Sequence, residues 1–180
     1  NEYKPIKPPM TTYGLSSLTD LLNHPCLVRN RLAEALYGEA GAPAHVRLAS
    51  RARGRHRFRE EEVAGLLKLL PRLARKLEHR AGKLAALDLE QATPSAVQRL
   101  LDLPELNAKP LIERALGKEH YFSFYDRTRA RGRLPEAWRD AVADELLRFA
   151  ESIRTGVETA RQEARRYPYS YGKGGGSHLK

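Results

Sequence analysis

From Trp138 onward, the apolar residues Trp138, Val142, Leu146, Phe149, Ile153, Val157 and Ala160 recur at steps of four, four, three, four, four and three. A period of 3.6 residues produces that spacing, so a single amphipathic helix is predicted over about 135–166. At 1.5 Å per residue it would be roughly 48 Å long. That is more than a small bundle needs, and it forces the rest of the chain to supply long packing partners. The outer face of this helix carries Glu136, Asp140, Asp144, Glu145, Glu151 and Glu158. Such a face suits an ordinary bundle helix turned to water, or one that meets the basic surface of another subunit.

The segments before it read the same way. Ser17 can cap a short helix over 17–23, with Asp20 three residues on, and Pro25 ends it. A second helix over about 26–37 stops at Gly38. Val63, Leu66, Leu67, Leu70, Leu73, Ala74 and Leu77 form the apolar face of a helix over 60–79, which Pro71 should kink or divide. Thr93 and Pro94 suit the cap and first position of a helix reaching Leu103. Another is expected over 108–116, ending at Gly117. Only His120 to Tyr125 (HYFSFY) looks strand-like, and one strand makes no sheet. The expected fold class is therefore all-α: a helical bundle with a long C-terminal helix and no sheet of three or more strands. Residues 14–166 would form this domain. Residues 1–13, with Lys4-Pro5-Ile6-Lys7-Pro8-Pro9, read as an extended polyproline-like arm. Residues 167–180, with Tyr167, Tyr169, Tyr171 and a triple glycine, read as a second arm.

Charge dominates the functional side. Net charge is +10, with pI about 9.9. Hydrophobic residues make up 41%, enough for a modest Leu/Ala core, and mean hydropathy is −0.59. No apolar run approaches the ~20 residues of a membrane span. Residues 1–10 lack the apolar stretch of a signal peptide. The single Cys26 excludes an intramolecular disulfide. Abundant Arg and Glu with one Cys and one Met are compatible with a hyperthermophile.

Of the 32 basic residues, 23 are arginine, concentrated in two runs. One is Arg47, Arg51, Arg53, Arg55, Arg57 and Arg59. The other is Arg127, Arg129, Arg131 and Arg133. Guanidinium groups bind phosphate oxygens in a planar, bidentate way, so a polyanion is the expected partner, and a nucleic-acid backbone is the commonest one. With Lys4 and Lys7 of the first arm, these are the candidate DNA-binding residues. Other chemistry is sparse. The six histidines show no pair at metal-ligand spacing, and no Gly-rich phosphate loop opens a helix. No cofactor or metal is expected. Cys26 near His24 reads as a small buried thiol rather than a nucleophile beside its base.

One segment carries a resemblance. Leu15-Ser16-Ser17-Leu18-Thr19-Asp20-Leu21-Leu22-Asn23-His24-Pro25-Cys26-Leu27-Val28-Arg29 resembles the N-terminal signature of the RecB-like, CRISPR-associated exonucleases. Gly54-Arg55-His56 resembles that family's Gly-x-x-x-His element. The family holds divalent metal with an Asp and a Glu-x-Lys pair. Here Asp88 and Glu90 stand in that order, but Ala92 occupies the lysine position, and the only Glu-x-Lys runs from Glu2 to Lys4. The cysteines of the family's iron–sulfur cluster are missing too. A chain so altered has no evident means to cleave but can still bind DNA, and in this it is similar to the nucleocapsid proteins of the tristromaviruses, filamentous archaeal viruses. The resemblance implies a non-enzymatic capsid protein of the virion that wraps linear double-stranded DNA in a helical filament, as a homo-oligomer or with a paralogous capsid partner. The alternative is a cellular nucleic-acid-binding protein, ribosome-associated or of the nucleoid. A divergent nuclease is the remaining reading.

Overall fold

The computed structural model describes residues 10–129, 134–166 and 168–171. In chain order the elements are β1 (Met10–Tyr13), α1 (Ser16–Leu22), α2 (Arg29–Tyr37), α3 (Ala42–Ala52), β2 (Phe58–Arg59), α4 (Glu60–Ala85), α5 (Ala96–Leu100), α6 (Ala108–Leu116), α7 (Tyr121–Thr128), α8 (Glu136–Arg166) and β3 (Pro168–Tyr171). The architecture is mostly helical, with the long C-terminal helix that the apolar stripe requires.

Two long helices, α4 and α8, form the spine, and their mutual packing is the most extensive in the molecule. Val63, Leu66, Leu70, Leu73 and Leu77 of α4 are buried, as are Val142, Leu146, Phe149, Ile153 and Val157 of α8. The Arg154 Nε donates to Glu78 Oε1 at 2.5 Å and ties the two helices at the surface. Helices α1 and α6 also pack on α8, and α2 packs on α3 and α4. At Gly156, a Cβ would lie 2.6 Å from Leu21 Cδ1, so the absent side chain lets α1 close onto α8. Backbone hydrogen bonds of 2.8 Å from Val28 to Glu105 and from Asn107 to Cys26 join the segment before α2 to the segment before α6.

Several local expectations are corrected. Pro71 neither ends nor divides α4, which continues to Ala85. Buried Leu66 and Leu70 on one side and Leu73 and Leu77 on the other hold the helix through the missing N–H. The HYFSFY segment is helical. Tyr121, Phe124, Tyr125 and Thr128 follow helical steps, so Phe124 and Thr128 are buried while Phe122 is 75% exposed. The helix expected from Thr93 is only the short α5, because Thr93 and Pro94 form a turn in which Ala96 N–H donates to the Thr93 carbonyl. Helix α1 begins at Ser16, and the Ser17 hydroxyl is buried without a hydrogen-bond partner among the described residues instead of capping it. Helix α3 has no counterpart among the expected segments.

The largest correction concerns the sheet. Strands β2, β1 and β3 form a three-stranded antiparallel sheet in that order. The register pairs Thr12 with Arg59, Tyr13 with Phe58, and Met10 with Tyr171. The inner ends of both expected arms therefore pair with each other. Each strand is two to four residues long, too short for alternation to show. The partners also lie far apart in sequence, so no local pattern signals the pairing. Pro168 is tolerated because β3 is an edge strand.

Candidate nucleic-acid interface

The first arginine run is distributed over three structural settings. Helix α3 ends in a Schellman arrangement: Arg55 N–H donates to the Ser50 carbonyl and Gly54 N–H to the Arg51 carbonyl, both at 3.1 Å. Gly54 takes φ +72°, in the left-handed region that favours glycine. This reversal turns the chain back, and the Ser50 hydroxyl hydrogen-bonds with His56 Nδ1 to close the turn. Residues 58 and 59 then enter the sheet beside Tyr13 and Thr12. Phe58 is buried as its anchor, while Arg53, Arg55, Arg57 and Arg59 are exposed.

Arg51 departs from the expectation of a surface phosphate ligand. It is 9% exposed. Its Nε donates to Glu62 Oε1 at 3.1 Å. The same carboxylate accepts the Arg59 backbone N–H at 2.8 Å and the Tyr37 hydroxyl. Glu62 is itself 3% exposed. Burial, and the hydrogen bond to that carboxylate, push the Tyr37 phenol well above its ordinary range, so it stays protonated. Arg51 is thus a buried cation held by a carboxylate that two further donors, the Arg59 N–H and the Tyr37 hydroxyl, fix in place. Arg47 lies on the exposed face of α3, 3.8 Å from Glu39 and over the Tyr37 ring.

Arg51, Arg55, Arg57 and Arg59 line a cavity of about 430 Å³, together with Thr12, Gly54 and His56. Among the described residues, no acidic side chain lines it. The strand pairing brings Thr12 here from the beginning of the chain, which sequence reasoning had no means of seeing.

The second run is less available where it is described. Arg127 stacks over Trp138, with its guanidinium carbon 4.9 Å from the ring centroid. Arg129 lies 3.9 Å from Asp126. Arg131 and Arg133 lie outside the described residues, as do Lys4 and Lys7 of the first arm. Other arginines serve the fold: Arg80 donates to the Arg99 carbonyl at 2.6 Å, and Arg139 to the Leu87 carbonyl at 2.8 Å. The expected acidic face of α8 is likewise broken up by neighbouring cations. Asp140 pairs with Arg139, Glu145 with Arg148, and Glu158 with Arg161.

A second cavity, of about 450 Å³, lies where α6 and α8 meet His24 and Cys26. His24 stacks on Phe149, with ring centroids 4.6 Å apart. Its Nδ1 accepts the Cys26 backbone N–H at 3.1 Å, so the neutral ring carries its proton on Nε2. Burial, and then the Arg114 guanidinium, hold its pKa below the ordinary value, against a smaller opposite effect of Glu145. Burial raises the Cys26 thiol to about 11. The histidine lone pair is occupied by the backbone and the thiol keeps its proton, so the pair lacks the geometry of a nucleophile and its base.

Asp88 and Glu90, the residues placed in order by the exonuclease resemblance, are exposed in the turn after α4, where Asp88 Oδ1 accepts the Glu90 N–H. Among the described residues, no group of three or more His, Cys, Asp or Glu side chains is arranged to hold a metal ion. No helix among them is long and apolar enough to cross a membrane. Compared with known protein families, curated proteins and solved structures, the chain finds no match.

Proposed function

We propose that this protein coats double-stranded DNA through sequence-independent phosphate contacts, repeating along the duplex with further copies or a paralogous partner, as the nucleocapsid protein of a filamentous virion. The observation that carries the reading is the α3–β2 corner. Arg53, Arg55, Arg57 and Arg59 are exposed on a rigid reversal, three of them around a cavity with no acidic lining among the described residues. Duplex DNA presents about one negative charge per 1.7 Å of axis. A subunit of net charge +10 neutralises several base pairs, and phosphate contacts read no sequence. The sheet gathers β1 and β3, from the two ends of the chain, beside the same corner, where both ends can take part in a repeating assembly on the duplex.

Electron microscopy of the full chain mixed with linear duplex DNA tests this. Regular filaments are expected, with equal affinity for unrelated sequences. Isolated particles on the DNA without a repeat would favour a cellular nucleic-acid-binding protein. The DNA should stay intact with magnesium or manganese, and cleavage abolished by Asp88→Ala would establish a nuclease instead.

A further inference from the structure

We propose that the cavity bounded by Thr12, Gly54 and the Arg51–Arg59 segment is a dedicated binding site for one phosphate group, filled by a backbone phosphate of the nucleic acid. It rests on the reading above that the chain binds DNA, and it distinguishes one seated phosphate from the many loose contacts of a basic surface. Two observations beyond charge carry it. Thr12 lines the cavity, is 7% exposed, and has a buried hydroxyl oxygen with no hydrogen-bond partner among the described residues. Buried polar groups in folded proteins are nearly always satisfied, so an orphan in a residue of the cavity wall leaves a hydrogen bond for a ligand to complete. Arg51, also buried, has its Nε fixed by Glu62 and lines the same cavity. A guanidinium held at one edge by a carboxylate presents its other N–H groups in a set direction, as bidentate phosphate binding requires.

The remaining wall suits an anion. Arg55 and Arg59 are exposed at the mouth. Gly54 has no Cβ, so its backbone can approach the ligand closely. The volume exceeds what a single phosphate fills, which leaves room for the attached sugar. Thr12 lies on β1, and Arg59 opposite it on β2. A phosphate bonded to both strands would therefore clamp the sheet, and with it the pairing of the chain's two ends through β1 and β3. Binding at the corner would thus strengthen the existing pairing of the terminal strands.

The test is a nuclear magnetic resonance titration of the full chain, following the amide signals of Thr12, Gly54 and Arg55. Inorganic phosphate is the first probe, with chloride at equal ionic strength as control. Saturable shifts with phosphate alone are expected, with slower hydrogen exchange at the Thr12 and Tyr13 amides. Thr12→Val, nearly isosteric but without the hydroxyl, should weaken phosphate binding about tenfold. Arg55→Gln, at an exposed position, provides a second variant should the first fail to fold. Duplex DNA is the second probe and should displace the bound phosphate. If DNA binds but phosphate leaves these amides unmoved, the dedicated site is overturned while DNA coating stands. If phosphate binds and DNA does not, the coating reading falls. If both bind without competing, the site serves a free phosphate compound, and its assignment to the backbone is overturned.

Discussion

The two cavities are nearly the same size, about 430 and 450 Å³, and both are lined by arginine, yet their chemistry is opposed. At the α3–β2 corner the lining is cationic and carries an unsatisfied hydroxyl. Beside His24 the charges are mixed. Glu145 Oε1 accepts from Arg148 at 2.7 Å, an aromatic ring covers the imidazole, and the histidine lone pair is occupied by a backbone N–H. An arginine count therefore measures capacity for anions only after the internal partners are subtracted. At the corner the residues between the arginines, Ala52, Gly54, His56 and Phe58, carry no carboxylate, and Glu62 is bonded to Arg51. The His24 cavity is left with Arg114 as its excess cation, because α8 brings Glu145 and Arg148 to it three residues apart.

The contrast depends first on Glu62. Replacing it by alanine would leave Arg51 as a buried, unpaired charge and remove the acceptor for Tyr37 and the Arg59 N–H. Breaking a buried pair from one side costs about 3–5 kcal/mol. Denaturant unfolding of Glu62→Ala should show that destabilisation, while its exposed neighbour Glu61→Ala should stay within about 0.5 kcal/mol. Equal, small effects would mean that Arg51 is not anchored as described.

DNA binding separates the cavities directly. Arg53 and Arg55 replaced together by alanine should reduce the salt slope by about 0.9 for every phosphate that is no longer neutralised. The effect should be equal on all sequences. Arg114 and Arg148 replaced together should change the slope far less, since they belong to the cavity of mixed charge. Arg127 and Arg129 replaced together should fall between, because both already have partners on the protein. Equal slopes for all three variants would reduce the interface to net charge alone.

How much of this was legible in sequence follows from the range of the interactions involved. The α8 stripe is local and periodic, and α8 and α6 match their expected spans within a residue. Gly38 ends α2 at φ +66°, as its position after an apolar run implied. The sheet was invisible because it joins residues near 12, 59 and 169. For the same reason Thr12 could not be associated with the arginines. Arg51 looked like its neighbours because its partner, Glu62, lies eleven residues away on a different helix. The one sequence sign of the corner was Gly54, and it offers the third test. A Cβ there meets nothing within 4 Å, so Gly54→Ala should cost only the left-handed backbone strain, about 1–2 kcal/mol. Urea unfolding would read that cost, and weakened phosphate binding should accompany it as the reversal shifts.

The smallest effect belongs to the His24 cavity and comes from its pH dependence. In the folded protein His24 has a pKa below its ordinary value of 6.5, first through burial and then through Arg114. The unfolded chain thus takes up the proton more readily than the folded one. Stability tied to neutral His24 is present above pH 6.5 and is lost as pH falls through the folded value. Protonating the ring would occupy Nδ1 and break its bond to the Cys26 N–H. His24→Asn supplies an amide oxygen that can accept that N–H and does not titrate. Unfolding free energies at pH 7.5 and 5.5 should therefore differ less for His24→Asn than for the native chain. Phosphate binding at the corner should be unchanged by the substitution at pH 7.5. An unaltered pH response in His24→Asn would mean that other groups carry the titration. Weakened phosphate binding would mean that the two cavities are coupled, and the contrast between a ligand site and a packed cavity would no longer hold.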